Sequence, residues 1–224
     1  MMKIKIMQNV LQANAEKAAE IRGLLQQHKI LLVNLISSPG SGKTTLLEKT
    51  LPLLQYRVAV IEGDVETDKD AKRLEKYQVP VALINTSGAC HLEAVSIAKA
   101  FTALDLDNLD IIFVENVGNL VCPAEFDIGE DFKVAMLSVP EGDDKPMKYP
   151  LLFREASLLI LNKIDLLKYV DFNLSNFYAE LKKLNANLPV LETACTQDLG
   201  ITQWIKWLIE RLARKRLQKH EIHC

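Results

Sequence analysis

The chain has almost no net charge and no long apolar run. Its 224 residues include 27 lysines and arginines against 29 aspartates and glutamates, which gives a formal net charge of −2. A charge so close to zero gives no sign of general binding to nucleic acid or to an anionic membrane surface. The apolar runs are of strand length, too short to cross a bilayer as a helix. We therefore expect a soluble globular protein with neither nucleic acid nor membrane as a partner.

Cysteines are few, and signals for export are missing. Only four cysteines are present, and the first ten residues have neither the apolar core nor the cleavage site of a signal peptide. We therefore expect a cytoplasmic protein whose cysteines are free thiols, buried apolar side chains or metal ligands rather than disulfides. Internal repeats and low-complexity linkers are missing too, so residues 1–224 are predicted to form a single domain.

The sequence does contain a regular alternation of apolar strands and helical segments. Strand-like runs occur at 30–36, 57–61, 81–84, 110–114, 133–139 and 157–161, with a weaker one near 188–191. Helices are predicted at about 8–28 (amphipathic), 44–54, 66–77, 91–104, 147–155, 173–184 and 201–219 (basic). This alternation predicts an α/β fold, a mostly parallel sheet with helices on both faces. Ligands of such sheets bind at the carboxyl ends of the strands.

The most informative motif is ISSPGSGKTT at 36–45, which lies between an apolar run and a helical pattern. Two glycines let the backbone N–H groups turn toward an anion, and the N-terminus of the next helix adds partial positive charge. The lysine can reach β- and γ-phosphates, and the threonine after it can bind Mg²⁺. The usual motif starts with glycine, where this chain has Ser37. We predict a nucleoside phosphate loop made of Gly40, Ser41, Gly42, Lys43, Thr44 and Thr45.

A second motif, Asn-Lys-Ile-Asp at 162–165, follows an apolar strand and indicates guanine. The carboxylate of Asp165 can accept from both N1–H and the exocyclic amine of guanine, whereas adenine offers no matching pair of donors. A buried acceptor left unpaired costs on the order of 1–3 kcal/mol. Asn162, Lys163 and Asp165 are therefore predicted to select GTP over ATP. By similarity to other GTPases, Cys195 is predicted to lie in a backbone turn against the guanine ring.

Acidic residues between these motifs are candidates for the Mg²⁺ side of the site. Glu115 ends an apolar strand where P-loop NTPases usually have an aspartate, and Gly118 is spaced to sense a γ-phosphate through its N–H. In the acidic cluster at 62–70 we expect Asp64 and Asp70 to act at Mg²⁺ or at the attacking water. We assign catalysis to Lys43, Asp64, Asp70 and Glu115, and Mg²⁺ binding to Thr44, Asp70 and Glu115.

Cys90, His91 and Cys122 form a candidate site for a softer metal. The first two are adjacent and are predicted to open a helix, and the third lies seven residues after Glu115. Two thiolates and an imidazole suit Zn²⁺ or Ni²⁺, and three ligands leave one position open. The residues alone also allow Cys122 to be a packed apolar side chain and His91 a helix cap. The tail at 220–224 is expected to be a frayed terminus rather than a metal site.

Together these motifs resemble the hydrogenase nickel-incorporation GTPases, the HypB family, which is related to the urease accessory GTPases. The matching segments run in family order over nearly the whole chain: SSPGSGKTTLLE, EGDVETDKDAKRL, NTSGACHLEA, VENVGNLVCPAEFDIGE, SVPEGDDKPMKYP and LNKIDLL. Ser37 is usual in that family at the start of the phosphate loop. The resemblance implies a P-loop NTPase fold of the SIMIBI type and slow, Mg²⁺-dependent hydrolysis of GTP to GDP and phosphate.

The resemblance also implies a role in metal delivery. Cys90, His91 and Cys122 fall on the family's positions for Ni²⁺ or Zn²⁺, at the interface of a homodimer formed in the GTP state. Lys145 and Lys148 lie in the loop after the strand at 133–139, where the resemblance implies that a lysine reaches nucleotide across that dimer, and we assign this role to Lys148. The implied partners are a HypA-like nickel chaperone and the hydrogenase large subunit, in [NiFe]-hydrogenase maturation. The N-terminal Cys-x-x-Cys or histidine-rich stretch of many relatives is not found here, so nickel storage is not expected.

Two other functions stay open from the sequence. One is a urease-type or other metal-delivery GTPase, which would differ in its target enzyme. The other, less favoured, is a small-molecule P-loop kinase, for which the Asn-Lys-Ile-Asp motif is a counter-indication because such kinases usually prefer ATP.

Overall fold

A computed structural model of the chain describes residues 3–64, 69–86 and 88–217. Side chains are described within these ranges from residue 11 onward, except at 64 and 69–71. The side chains of two predicted site residues, Asp64 and Asp70, therefore lie outside the description, and the tail at 220–224 lies outside it entirely. Among the described residues, no helix combines the length and apolarity that crossing a membrane requires.

The described strands form one seven-stranded sheet in which every pair is parallel. The strands are β1 Leu31–Ser37, β2 Val58–Asp64, β3 Val81–Asn85, β4 Ile111–Glu115, β5 Phe132–Ser138, β6 Leu158–Asn162 and β7 Val190–Glu192. Their order across the sheet is β3-β2-β4-β1-β5-β6-β7. Strands β1, β4 and β6 are buried along their whole length, as expected for parallel strands covered on both faces. The predicted parallel α/β architecture is confirmed.

Helices cover both faces because alternate residues of each strand point in opposite directions. The helices are α1 Lys3–His28, α2 Lys43–Thr50, α3 Lys69–Glu75, α4 Ala94–Phe101, α5 Cys122–Glu125, α6 Lys145–Lys148, α7 Pro150–Glu155, α8 Leu174–Leu184 and α9 Ile201–Leu217. On one face, Leu46 of α2 and Trp204 of α9 pack against residues such as Phe113. On the other, α1 and α4 cover the β2–β4–β1 side, and α7 and α8 cover the β5–β6 side.

Two of the predicted helices differ from the structure near the candidate site. Helix α4 begins at Ala94 after an extended Glu93, so Cys90 and His91 lie in a bend before the helix rather than at its start. The helix predicted at 147–155 is two short helices, separated at Tyr149–Pro150. Proline lacks an N–H and disfavours helical backbone in the residue before it, which accounts for the break.

The carboxyl ends of the strands lie at one edge of the sheet, and the loops that leave them carry the predicted motifs. The phosphate loop follows β1, the 162–165 motif ends β6, and Glu115 ends β4. Cys90 lies in the connection after β3, and Cys122 follows β4. Since β2 lies between β3 and β4, the two cysteine-bearing loops meet across the end of β2.

Candidate functional site

The phosphate loop is a tight turn that depends on glycine. Gly40 and Gly42 have φ of 76° and 106°, in the region where other residues are strained. A Cβ at Gly42 would lie 2.5 Å from Nδ2 of Asn162, so the loop is packed directly against the end of β6. That amide donates to the Ser41 carbonyl at 2.9 Å. The guanine motif therefore supports the phosphate loop.

The lysine and threonine of the loop point into the site and are held by the strands behind it. Lys43 Nζ donates to Ser37 Oγ at 2.8 Å, which gives the serine at the first motif position a role that glycine lacks. Thr44 Oγ1 donates to Glu115 Oε1 at 2.8 Å. All four side chains are buried. Two of the three residues expected to bind Mg²⁺, Thr44 and Glu115, are thus in direct contact with each other.

A cavity of about 410 Å³ opens above these residues, between the loop and the ends of β2 and β4. Its polar lining includes Lys43, Thr44 and Glu115, together with two residues that the motifs did not predict, Glu62 and Arg73. Glu62 pairs in register with Glu115, so two carboxylates from adjacent strands border the same cavity. The signal for Glu62 was available, since it is an acidic residue at the carboxyl end of a buried strand.

The loop after β4 packs on the phosphate loop. A Cβ at Gly118 would lie 2.8 Å from Pro39 Cγ and 3.0 Å from the Pro39 backbone nitrogen. Gly118 also lines the cavity. The loop that leads to Cys122 therefore forms part of the wall of the phosphate cavity.

A second pocket, of about 240 Å³, adjoins the first and is lined by the 162–165 motif, Cys195 and Thr196. Asn162 Oδ1 accepts from the Cys195 backbone N–H at 3.2 Å and from Thr193 Oγ1 at 3.0 Å. The Cys195 side chain is buried, and burial raises the pKa of its thiol. Cys195 therefore shapes the pocket through its backbone rather than through thiol chemistry.

The other two motif residues point toward the same pocket. Lys163 has a φ of 60°, and its Nζ donates to the Gly40 carbonyl at 2.8 Å. Asp165 Oδ2 accepts from Gln197 Nε2 at 3.2 Å, a partner that sequence reasoning missed because it lies on a different loop. The Asp165 carboxylate lies at the pocket, with the acceptor chemistry that guanine requires.

Cys90, His91 and Cys122 are brought together as the sequence predicted. Cys90 Sγ lies 3.0 Å from Cys122 Sγ and 3.5 Å from His91 Nδ1, and one ligand atom from each residue falls within 4.8 Å of the others. The neighbouring Cys122 thiol raises the pKa of Cys90. The ring of His91 packs on Phe126, with centroids 3.9 Å apart. Two sulfurs and an imidazole at this separation fit Zn²⁺ or Ni²⁺.

Lys148 is not part of either cavity of its own chain. It is exposed on α6 and pairs with Asp144 at 2.5 Å.

Comparison with known proteins agrees with this arrangement. The family model described as CobW/HypB/UreG, nucleotide-binding domain, matches residues 31–192. The hydrogenase maturation factor HypB of Azotobacter chroococcum mcd 1 is 46% identical over 217 residues, which cover 96% of this chain and 71% of the relative. The hydrogenase/urease maturation factor HypB of Helicobacter hepaticus is 41% identical over 224 residues, covering 98% of this chain and 91% of the relative.

A solved structure is similar to this chain in its fold as well as in its sequence. The crystal structure of HypB from Helicobacter pylori in complex with nickel matches this chain with a TM-score of 0.87 at 37% identity. The match covers 93% of this chain and 99% of that one. The chain therefore belongs to the CobW/HypB/UreG family, and within that family to the HypB hydrogenase maturation factors.

Proposed function

We propose that this protein is a GTP-hydrolysing metallochaperone that binds nickel or zinc and assists nickel insertion during [NiFe]-hydrogenase maturation. One observation carries the proposal: a phosphate cavity, a pocket with guanine-type acceptors and a Cys–His–Cys cluster lie at one edge of a single sheet. Family membership supports it, because the Helicobacter pylori HypB was solved in complex with nickel.

GTP hydrolysis is assigned to the residues around the larger cavity. Lys43 would neutralise charge on the β- and γ-phosphates, and Thr44, Asp70 and Glu115 would hold Mg²⁺. Water attacks the γ-phosphorus and the bond to the β–γ bridging oxygen breaks, which yields GDP and phosphate. Asp64 and Asp70 stay candidates for orienting that water, and the position of Glu62 adds it as a third. We expect slow intrinsic turnover.

Metal binding is assigned to Cys90, His91 and Cys122. These residues supply three ligands, and a second copy of the chain in the GTP-bound homodimer completes the site. Lys148, which is exposed on α6, would reach the nucleotide of that second copy. The metal is the cargo, delivered in the cytoplasm with the help of a HypA-like nickel chaperone to the hydrogenase large subunit.

Hydrolysis and metal delivery are coupled through the loop after β4. Glu115 contacts Thr44, Gly118 packs on Pro39, and Cys122 follows within seven residues of Glu115. A change at the γ-phosphate therefore repositions Cys122, so that the GTP and GDP states differ in metal affinity or in dimer formation. Loss of the γ-phosphate drives metal hand-over.

The proposal is tested by measuring Ni²⁺ and nucleotide binding in the wild type and in Cys122→Ala. We expect the wild type to bind one Ni²⁺ per site and to prefer GDP over ADP, and C122A to lose stoichiometric metal while it keeps the GDP affinity. Cys195→Ala is a matched control, because that cysteine lies at the other pocket and should leave Ni²⁺ binding unchanged. Full metal binding by C122A, or equal affinity for ADP and GDP, would contradict the proposal.

One finding favours a second target enzyme. The Helicobacter hepaticus relative is named a hydrogenase/urease maturation factor, so urease maturation is the alternative delivery role. Copurification of the tagged protein with the hydrogenase large subunit or with urease components separates the two.

A further inference from the structure

Leu92, the residue after His91, lies where the phosphate cavity and the metal cluster meet. It is buried, and its Cδ1 lies 2.8 Å from the place where a Cβ on Gly63 would be. Gly63 and Asn116 both line the phosphate cavity. The Leu92 backbone N–H donates to Asn116 Oδ1 at 3.4 Å. The imidazole ligand is therefore one residue away from the wall of the nucleotide site.

Asn116 is a fixed point at the base of the loop after β4. Its Oδ1 also accepts from the Val117 N–H at 2.9 Å, and its Nδ2 donates to Asn34 Oδ1 of the central strand β1 at 3.1 Å. Asn34 in turn donates to Glu130 Oε1 at 3.3 Å. Both asparagines are buried. This chain of hydrogen bonds ties the Leu92 backbone to the sheet.

Asn119 makes a second link, beyond Gly118 in the same loop. Its Nδ2 donates to the Cys90 carbonyl at 3.1 Å, and its Oδ1 accepts from the Val121 N–H at 2.9 Å. Asn119 therefore joins the backbone of one thiol ligand to the segment that carries the other thiol, Cys122. Gly118, which packs against the phosphate loop, lies between them in the chain: Asn116 precedes it and Asn119 follows it.

We propose that Asn116 and Asn119 are positioning residues that convert a movement of the 116–122 loop into a change of metal geometry. Asn116 holds the His91 end of the 90–92 segment to the sheet, while Asn119 makes the Cys90 end follow the loop together with Cys122. A displacement at Gly118 then moves the two thiols relative to the imidazole. The inference rests on the proposed function, since it requires that nucleotide and metal bind where we assign them.

The test measures Ni²⁺ affinity by competition with a chromogenic chelator, with saturating GDP and with a non-hydrolysable GTP analogue. The ratio of the two affinities is the coupling factor, which we expect to lie between about 5- and 150-fold in the wild type. Asn119→Ala should bring it to within about twofold of equality. Asn116→Ala should reduce it as well, and N119A, whose side chain does not line the phosphate cavity, should keep the wild-type affinity for GDP.

Asn14→Ala is the matched control. Asn14 is also a buried asparagine, and its amide joins the Ala94 N–H to the Asp127 carbonyl at 2.9 and 2.7 Å. It holds the start of α4 without touching the 116–122 loop, so its loss should leave the coupling factor unchanged. A reduction as large as that of N119A would mean that general loosening is the cause, and would overturn the inference.

The remaining outcomes are also decisive. A wild-type factor of one would refute the coupling in the proposed function, and the inference with it. A wild-type factor above one that N119A retains would overturn the inference alone. If N116A does not fold, the half-buried Asn119 decides the result, because its removal leaves the buried chain of hydrogen bonds intact.

Discussion

At the scale of single residues, two acidic side chains from adjacent strands border the phosphate cavity. They are Glu62 and Glu115. Each is only 3% exposed, and they are paired in register. Burying two carboxylates close together is costly unless a cation compensates for their charge. The guanidinium of Arg73 lines the same cavity, and in the proposed function Mg²⁺, a hard cation that prefers oxygen ligands, would add to the compensation.

Glu62→Gln should therefore slow GTP hydrolysis more than it weakens the binding of nucleotide. We expect GTP turnover to fall by about 10²-fold, in the range seen for loss of a positioned acid–base group, with little change in GDP affinity. Phosphate release at saturating GTP and Mg²⁺ gives the turnover. Glu155→Gln, an exposed residue on α7, controls for the change of charge. Wild-type turnover in E62Q would exclude a catalytic role for Glu62.

Gly118→Ala should impair binding of the GTP analogue, because the added Cβ would meet the Pro39 backbone as well as its ring. The two loops have to separate, and the site at the γ-phosphate end is displaced. Gly23→Ala is the matched control, since nothing lies within 4 Å of its new Cβ. Gly23 lies inside α1, so that change should stabilise the fold by about 0.5–1 kcal/mol. Titration with the analogue and thermal unfolding measure the two effects.

At this scale the motifs predicted most of the candidate site. Lys43, Thr44 and Asp165 were predictable because short contiguous sequences carry them. Gln197 was not predicted, because the approach of separate loops brings it to Asp165. Glu62 was missed within the acidic cluster, although it lies at the carboxyl end of a buried strand. The acidic cluster at 62–70 was recognised, but the choice of Asp64 and Asp70 within it stays a prediction.

Among the secondary-structure elements, Asp110 joins β2, β4 and α9. It lies just before β4 and accepts from the Arg57 backbone N–H at 2.8 Å and from Arg57 Nη2 at 2.9 Å. Arg216 of α9 donates to it at 2.5 Å. The hydrogen bonds from Arg57 hold the pKa of the Asp110 carboxyl below its ordinary value of 3.8. One carboxylate thus fastens the C-terminal helix to the start of two strands.

Because the folded-state pKa is lowered, this carboxylate contributes stability that is fully present above its unfolded-state pKa. That contribution is lost as the pH falls through the lower, folded value. Asp110→Asn should reduce the free energy of unfolding at pH 7. The difference in free energy of unfolding between the variant and the wild type should become smaller below about pH 4. Urea unfolding at several pH values checks this. A gap that stays constant from pH 7 down to pH 3 would contradict it.

The order and type of the main elements were predictable, and their boundaries less so. The strands are apolar runs long enough to be recognised without any partner, as for β1 and β6. The start of α4 was placed too early, because the helical pattern around it does not show that Glu93 is extended. The four-residue α5 is too short to show a periodicity.

For the molecule as a whole, the proposed function requires a dimer in which Lys148 of one copy acts on the nucleotide of the other. If Lys148 reaches the nucleotide of a second copy, the Lys148→Ala variant should have the GTP turnover of the wild type in dilute solution. Its turnover should become lower than that of the wild type as the protein concentration rises. We expect a difference of about tenfold in GTP turnover at concentrations where the dimer predominates. Sedimentation with the GTP analogue identifies that range. Lys183→Ala, another exposed lysine paired to a carboxylate, is the control, and a deficit in K148A at every concentration would contradict action across the dimer.

The described strands of the sheet all run in one direction, so the loops that line the phosphate cavity and carry the Cys–His–Cys cluster lie at one edge of the sheet. In the proposed function, metal and nucleotide would then arrive and leave through the same side. A delivery partner that docks over the loop containing Cys90 stands beside the entrance to the phosphate cavity. If such a partner binds there, we expect it to slow the exchange of GDP, so that partner release and nucleotide exchange would follow one another in the delivery cycle that we propose.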